Sequence, residues 1–242
     1  VGGTVTINRV LVRDDAKVRD VPIGARVTID PDDILKDPNI DIIVEVMGGE
    51  EPAISYIQKS LHAGKHVVIE TGSLTCPQYV SWIDPMNALM DQHPDVVFLT
   101  IYVREAHPGS NVASHSSLKE KLALAVRLRN EEKESRPILV DTLAGDMHRS
   151  YGAWPNMVYV IAPDGEVAFR SLWNNADLLG EVVEQLKSGQ PVDELKPKAS
   201  PNALLILLDM FSNSITKRVL SRAGGHATSD FILGGMASLL LY

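Results

Sequence analysis

The chain has 242 residues, enough for one large domain or two small ones, with 45% hydrophobic and 22% charged residues, as in an ordinary globular protein. The formal net charge of -8 argues against a nucleic-acid-binding protein, which normally presents a basic face. The one cysteine, Cys76, excludes an internal disulfide and a four-thiolate metal site. A single thiol suits a reducing compartment such as the cytoplasm, and it leaves open a homodimer cross-linked between two chains.

Neither end of the sequence has the features of a natural protein terminus. Val1 to Thr4 lack the apolar core of a signal peptide, and no initiator methionine precedes them. The apolar run at 237–242 is too short for a membrane span. We therefore expect a fragment at both ends, with no clear membrane span.

The first 68 residues predict half of a doubly wound α/β unit. We expect a strand at 4–12 and a charged loop at 13–22, then a buried strand at 40–47 and a Gly-Gly turn at 48–49. A helix at 52–64 and a further strand at 67–69 should follow. Pro52 suits the first helical turn and Gly64 the end of that helix. This part is predicted to be a partial Rossmann-like segment over 1–68.

The following residues predict a second βαβ unit and then a hairpin and a helix. The expected elements are a helix at 78–92, a strand at 96–103, a helix at 118–134, a strand at 138–140, hairpin strands at 157–161 and 167–170, and a helix at 177–187. This order is that of the thioredoxin fold. The fold class is thus α/β, a thioredoxin-like domain at 69–190 after the partial Rossmann-like (doubly wound) segment. A linker (190–201) and a helix (202–221) belong to a tail at 191–242.

Cys76 is expected between a strand and a helix, with Pro77 in the first helical turn. Backbone N–H groups are unpaired there and the helix dipole is positive, so a thiolate is favoured and the pKa of the cysteine should fall. The small residues before it should leave the sulfur accessible. This pattern favours a reactive thiol over a buried structural cysteine. Because Tyr79 occupies the position of a second cysteine, an external thiol reductant or another chain must resolve the oxidised thiol.

Glu105 and His107 follow a buried strand whose carboxyl end should lie near Cys76. A carboxylate beside an imidazole can hold one tautomer and relay a proton, and His115 is a second candidate for proton delivery. The alternatives are a simple His-Pro turn and a surface ion pair of Glu105. The side chains of His62, His93 and His148 are expected to be solvated.

The strings GSLTCPQY (72–79) and FLTIYVREAHP (98–108) are followed by shorter blocks at 115–118, 140–144 and 151–161. Together, in this order, the blocks resemble the iodothyronine deiodinase family. The resemblance implies a thioredoxin fold and a thiol oxidoreductase without a required cofactor. Cys76 stands where the animal enzymes carry selenocysteine, and Glu105, His107 and His115 are candidate catalytic residues beside it.

The same resemblance implies a substrate site and a class of substrate. Thr75, Trp154 and Pro155 are expected to contact the substrate, with Pro155 at the place of the thioredoxin-type cis-proline. The expected substrate is a small halogenated or otherwise electrophilic compound. The loop at 109–114 is short and the turn at 171–175 lacks the family's glycines. Both departures fall where the resemblance implies that a bulky aromatic substrate would bind. Peroxide or another electrophile therefore stays open as the substrate.

The front segment resembles a different family. The strings VLVRD (10–14), IDIIVEVMGGEEP (40–52) and HAGKHVV (62–68) resemble the dinucleotide-binding domain of homoserine dehydrogenase. The resemblance implies contacts of NAD(P) with Arg13, Gly48 and Gly49, but the glycine-rich turn and the substrate domain are missing, so this site is expected to be vestigial. We hypothesise two sequences joined within 64–71. A nicotinamide-nucleotide-binding module and a non-catalytic scaffold remain the alternatives to a thiol oxidoreductase.

Overall fold

A computed structural model of the chain describes residues 8–11, 24–30, 33, 37, 42–44, 53–152, 154, 156–190, 192 and 212–233. The strands are β1 (Arg9–Leu11), β2 (Arg26–Thr28), β3 (Ile42–Val44), β4 (Val67–Gly72), β5 (Val97–Tyr102), β6 (Ile138–Val140), β7 (Val158–Ile161) and β8 (Val167–Ser171). The helices are α1 (Ala53–His62), α2 (Pro77–Gln92), α3 (Leu118–Glu132), α4 (Asp146–Ser150), α5 (Ala176–Lys187) and α6 (Ser214–Ala223). Residues 227–233 are also helical.

Six strands form one sheet in the order β3-β6-β5-β4-β7-β8. The pairs β3·β6, β6·β5 and β5·β4 are parallel, whereas β7 runs antiparallel to both β4 and β8. The unit β4-α2-β5 followed by the hairpin β7-β8 and helix α5 is the core of a thioredoxin-like fold. The expected fold class is therefore confirmed for this part of the chain.

Helices cover both faces of this sheet, which explains why its central strands are continuous apolar runs. On one face, α2, α3 and α5 enclose two apolar clusters that include Met86, Leu128 and Val182. On the other face, α1 and α4 cover a third cluster, to which Ile57 and Met147 belong. Helix α6 packs against α2. The second face thus carries fewer helices, and the first carries the helix that begins beside Cys76.

The described strands of the front segment do not form the Rossmann-like sheet that was expected. Strand β3 pairs with β6 of the thioredoxin-like part, and α1 packs on β4. The expected boundary at 68/69 falls inside β4, and β3, which precedes it, belongs to the same sheet as β4. Strands β1 and β2 form a separate parallel pair, and a Rossmann-like sheet is not found among the described strands.

Local pattern misjudged several short elements. Strand β2 and helix α4 were not predicted, and both are short. The expected helix at 202–221 is interrupted at Asn213, whose side chain accepts a hydrogen bond from the Ile215 amide and caps α6, while 202–211 lie outside the described residues. Among the helices that the structure describes, none has the length and apolar character needed to cross a membrane.

Candidate active site

Cys76 lies at the amino-terminal end of α2, directly after the turn that follows β4. It is the N-cap residue with φ -94° and ψ 105°, and Pro77 occupies the first turn of the helix. The turn is tight because Gly72 lies against the Tyr79 ring, where an added Cβ would be 2.2 Å from a ring carbon. A larger residue at this position would push the helix away from β4. The predicted strand-turn-helix placement of Cys76 is thus present in the structure.

The thiol of Cys76 is buried, which differs from the expectation of an accessible thiolate. The residue is 2% exposed and belongs to an apolar cluster with Tyr102, Val112 and Val219. Burial raises the pKa of the thiol to about 12, although the amides of Tyr79 and Gln78 act to lower it. The expected fall of the pKa is contradicted, because the desolvation of the sulfur outweighs the helix terminus.

Glu105 is connected to the loop that carries Cys76. Its Oε2 accepts hydrogen bonds from the Thr75 amide at 3.0 Å and the Thr75 hydroxyl at 2.7 Å, and its Oε1 accepts one from the Tyr102 hydroxyl. The Tyr102 oxygen in turn accepts a bond from the Leu74 amide at 3.3 Å. Burial raises the pKa of the Glu105 carboxyl, in opposition to the bonds from Tyr102 and Thr75. Glu105 is 5% exposed, so it does not form the surface ion pair that was considered as an alternative.

His107 and His115 line one cleft of about 360 Å³ together with Arg104, Glu105 and Asp230. The His107 amide donates to the Thr75 hydroxyl at 3.1 Å, and its Nδ1 lies 2.9 Å from Asp230 Oδ2. Burial lowers the pKa of both imidazoles. The structure therefore brings the two predicted histidines together beside Glu105, and Thr75 of the thiol loop binds both Glu105 and the His107 amide.

His115 carries an unpaired ring nitrogen. Its Nδ1 is buried and has no hydrogen-bond partner within the part of the chain that the structure describes. Burial lowers the pKa of this imidazole first, and the neighbouring Lys121 ammonium lowers it further. A neutral imidazole with a free nitrogen can accept or return a proton, as expected for a group that delivers one.

A buried network of charged side chains lies behind the thiol loop, and sequence patterns gave no sign of it. The Arg136 guanidinium donates to Glu70 and, at 2.6 Å and 2.8 Å, to Glu134. The Tyr79 hydroxyl also donates to Glu134 at 2.6 Å, and the Asn174 amide donates to Glu70 at 2.7 Å. Burial raises the pKa of Glu70, while Arg136 opposes that rise. The network ties β4 to the first turn of α2 and so fixes both sides of the loop that carries Cys76.

Arg222 of α6 also reaches the thiol loop from far along the chain. Its Nη2 donates to the Leu74 carbonyl at 2.6 Å, and its Nη1 pairs with Glu132 and, at 3.3 Å, with Glu131. Arg222 thereby joins α6, α3 and the loop. Arg222 and Leu74 are 148 positions apart in the sequence, which explains why local pattern could not reveal the contact.

The remaining predicted residues fall into two groups. The Trp154 carbonyl accepts bonds from the Thr71 hydroxyl at 3.1 Å and from His148 Nε2 at 2.9 Å, while its ring is partly exposed and lies 6.4 Å from the Trp173 ring. Pro155 and the candidate cofactor residues Arg13, Gly48 and Gly49 lie outside the described residues. Within the described residues, no group of three or more His, Cys, Asp or Glu side chains is arranged to hold a metal ion.

Two of the three histidines that were expected to be solvated are buried instead. His148 and His93 are 4% and 6% exposed. His148 is held by its bond to the Trp154 carbonyl, and His93 Nδ1 lies 3.4 Å from a Glu184 carboxylate oxygen. The prediction is wrong for these two because other parts of the folded chain pack over side chains whose neighbours in sequence are polar. The side chain of His62 lies outside what the structure describes.

The family model for iodothyronine deiodinase matches residues 36–172, more than half of the chain. The chain belongs to the iodothyronine deiodinase family. The matched range contains Cys76, Glu105, His107 and His115, whereas α6 and Asp230 follow it. The resemblance expected from the blocks around the thiol is thereby confirmed.

Individual members of the deiodinase family match over part of their length. The type I iodothyronine deiodinase of Xenopus laevis is 28% identical over 126 residues, covering 48% of this chain and 49% of the relative. The human thyroxine 5-deiodinase is 25% identical over 134 residues, covering 51% and 42%. The chain thus spans about half the length, or less, of these curated relatives. Homoserine dehydrogenase of Bacillus subtilis is 42% identical over 69 residues, which is 28% of this chain and 16% of that protein.

Two solved structures were also found to be similar to this deiodinase-family chain. StoA from Bacillus subtilis has a TM-score of 0.39 at 16% identity, covering 50% of this chain and 83% of StoA. A hypothetical protein from Sinorhizobium meliloti has a TM-score of 0.47 at 11% identity, covering 57% and 78%.

Proposed function

We propose that this chain is a thiol-dependent oxidoreductase that removes a halogen from a small aromatic compound, with Cys76 as the nucleophile. The observation that supports this proposal is the buried carboxyl of Glu105, which binds the amide and hydroxyl of Thr75 next to the only cysteine of the chain. Membership of the deiodinase family makes halogen the first electrophile to consider.

In the first step, the Cys76 sulfur attacks the halogen and the carbon–halogen bond breaks. The sulfur is oxidised to a sulfenyl halide, and the aromatic carbon is reduced and takes up one proton. The thiol gives up one proton in the same step, so the protons balance. In the second step, two molecules of an external thiol reduce the sulfenyl halide, which regenerates Cys76 and yields one disulfide and one hydrogen halide.

A thiol with a raised pKa fits this scheme if its proton has an acceptor close by. Burial raises the pKa of Glu105 and lowers that of His115, which brings a carboxyl and an imidazole closer to each other in proton affinity. We assign Glu105, His107 and His115 the movement of the proton from sulfur to carbon. Thr75 would keep Glu105 next to the thiol loop, and the exposed Trp154 ring would contact the aromatic substrate.

The test is iodide release from a diiodinated phenol and from thyroxine, with dithiothreitol as the external thiol. We expect turnover by the natural chain, none by Cys76→Ser, and a fall on the order of a hundredfold in kcat for Glu105→Gln, because an amide cannot hold the proton. Glu166→Gln, at an exposed turn, is the matched control and should keep full activity. Iodide release that persists in Cys76→Ser would refute the nucleophile. If the chain reduces hydrogen peroxide and releases no iodide, the substrate is a peroxide and not a halogenated compound.

A further inference from the structure

Asp230 lies against His107, although it comes 58 residues after the end of the matched family range at 172. Asp230 Oδ2 is 2.9 Å from His107 Nδ1, and both side chains line the cleft beside Glu105. The ring of the next residue, Phe231, meets the His107 ring edge-on with centroids 5.1 Å apart. The imidazole is thus held by two consecutive residues of the C-terminal segment, which we define as residues 212–233.

The C-terminal segment is anchored to the site at other points as well. The amides of Asn111 and Val112 both donate to the Ala223 carbonyl, at 2.9 Å and 3.2 Å. Gly109 approaches the same turn so closely that an added Cβ would lie 2.2 Å from the Gly224 carbonyl oxygen. Together with the hydrogen bond from Arg222 to the thiol loop, these contacts fix the backbone that carries Asp230 relative to the cleft.

We propose that Asp230 is a positioning residue for His107: its carboxylate accepts a hydrogen bond from the protonated Nδ1, which leaves Nε2 as the basic nitrogen for the proton transfer. The role of Nε2 in proton transfer rests on the proposed function, whereas the protonation state of the His107 ring does not. A carboxylate on one ring nitrogen fixes the tautomer and the orientation of an imidazole. The C-terminal segment then completes the site rather than merely packing beside it.

The charged groups around His107 define how its titration responds. Arg104, Glu105 and His115 line the same cleft from the neighbouring loop, and Asp230 faces the ring from the C-terminal segment. Burial lowers the pKa of His107, whereas the hydrogen bond and charge of Asp230 raise it. Removal of the Asp230 charge should therefore lower the pKa of His107 further, so that the neutral imidazole persists to lower pH.

The experiment is a long-range ¹H–¹⁵N correlation spectrum of the full chain during a pH titration, with His107→Gln to assign the signal. We expect the neutral His107 ring to carry its proton on Nδ1 in the natural chain. Asp230→Ala should lose this tautomer and lower the pKa, whereas Asp230→Asn keeps an acceptor oxygen and should lower only the pKa. Asp230→Glu should restore both, and Asp91→Asn, an equal charge change at the exposed far end of α2, should change neither.

An unchanged tautomer and pKa in Asp230→Ala would overturn the proposal, whether or not the chain dehalogenates anything. Where iodide release is measurable, Asp230→Ala should reduce kcat by about tenfold with KM little changed, and the acid limb of the pH profile should move to lower pH. An unchanged kcat in that variant would also overturn the positioning role. If the natural chain releases no iodide, the proposed function fails, while the spectra still decide the assignment of Asp230.

Discussion

At Cys76, the end of a helix and the burial of the sulfur act on the same thiol in opposite directions. The positive end of a helix dipole stabilises a nearby negative charge by about 0.3–1 kcal/mol. Burial raises the pKa of Cys76 from 9.0 to about 12, which corresponds to about 4 kcal/mol against the thiolate. The larger effect decides, and the resting thiol of this conformation is neutral.

Alkylation of Cys76 by iodoacetamide should therefore be slow and should increase with pH without a plateau up to pH 10. Because only the thiolate reacts, the rate should rise about tenfold for each pH unit below the pKa of the group. The measurement is the pseudo-first-order rate of mass increase, with Cys76→Ser as the blank. A plateau near pH 8 or below would show that the helix terminus dominates and that the sulfur is accessible, contrary to its 2% exposure.

Sequence reasoning predicted where the candidate reacting groups lie in the fold better than it predicted their surroundings. Cys76, Glu105 and His107 were found from their positions after predicted strands, because the carboxyl ends of neighbouring strands meet at one edge of the sheet. The burial of Cys76 was not foreseen, since Val219, which packs in the same cluster, is far away in sequence. Asp230 left no signal either, because a single acidic residue in the short helix at 227–233 has no distinctive pattern.

Among the structural elements, β4 and α2 are joined by the buried Arg136 network. Arg136→Met would leave the Glu70 and Glu134 carboxylates without their cation, and breaking a buried ion pair in this way costs about 3–5 kcal/mol. We expect the free energy of unfolding in urea to fall by that amount at pH 7. Arg127→Met removes only an exposed pair with Glu131 and should cost about 0.5 kcal/mol or less.

The pH dependence of Arg136→Met has a definite sign. Without the guanidinium, burial leaves the two carboxyls with raised pKa values, so the folded variant binds more protons than the unfolded chain. Its stability should be greatest below the pKa of an unfolded glutamate and should be lost as the pH rises through the folded values. Urea denaturation at pH 5 and pH 8 measures this difference. If Arg136→Met is equally stable at both pH values, the pKa values of Glu70 and Glu134 are not raised in the variant, and this expectation is wrong.

The docking of the C-terminal segment depends on a close backbone contact. Gly109→Ala places a methyl group 2.2 Å from the Gly224 carbonyl oxygen, and a backbone atom cannot move aside as a side chain can. We expect faster hydrogen exchange at the Asn111 and Val112 amides and faster alkylation of Cys76, since Val219 is withdrawn with α6. Gly180→Ala in α5 is the control, because its methyl meets only the Leu89 side chain, at 3.3 Å. Unchanged exchange in Gly109→Ala would mean that the segment is not held there.

The elements that sequence pattern predicted well are those whose pattern is long and strong. The runs that became β5 and β7 are predominantly apolar because helices cover both sides of the sheet, and this burial is visible in the sequence itself. Helix α4, with five residues, and strand β2, with three, are too short to show a period. Their formation depends on contacts made elsewhere, such as the Asp141 side chain that accepts bonds from the Met147 and His148 amides at the start of α4.

At the scale of the whole molecule, the front of the chain contributes to the thioredoxin-like sheet. Strand β3 lies at the edge of that sheet beside β6, although β6 comes almost 100 residues later in the sequence. The family match likewise begins at residue 36, before the boundary that the two resemblances suggested. A strand that resembles part of a dinucleotide-binding domain is thus used in a different sheet, which local sequence identity cannot reveal.

This arrangement predicts that the chain does not bind NAD or NADP. A dinucleotide site of the doubly wound kind needs adjacent parallel strands of one sheet, with the cofactor at their carboxyl ends. Here β1 and β2 form one sheet, and β3 belongs to another. Calorimetric titration with NAD and NADPH should show no heat of binding at millimolar ligand, for the natural chain and for Arg13→Ala alike. Saturable binding that Arg13→Ala weakens would refute this expectation and would mean that the front strands can also assemble as in homoserine dehydrogenase.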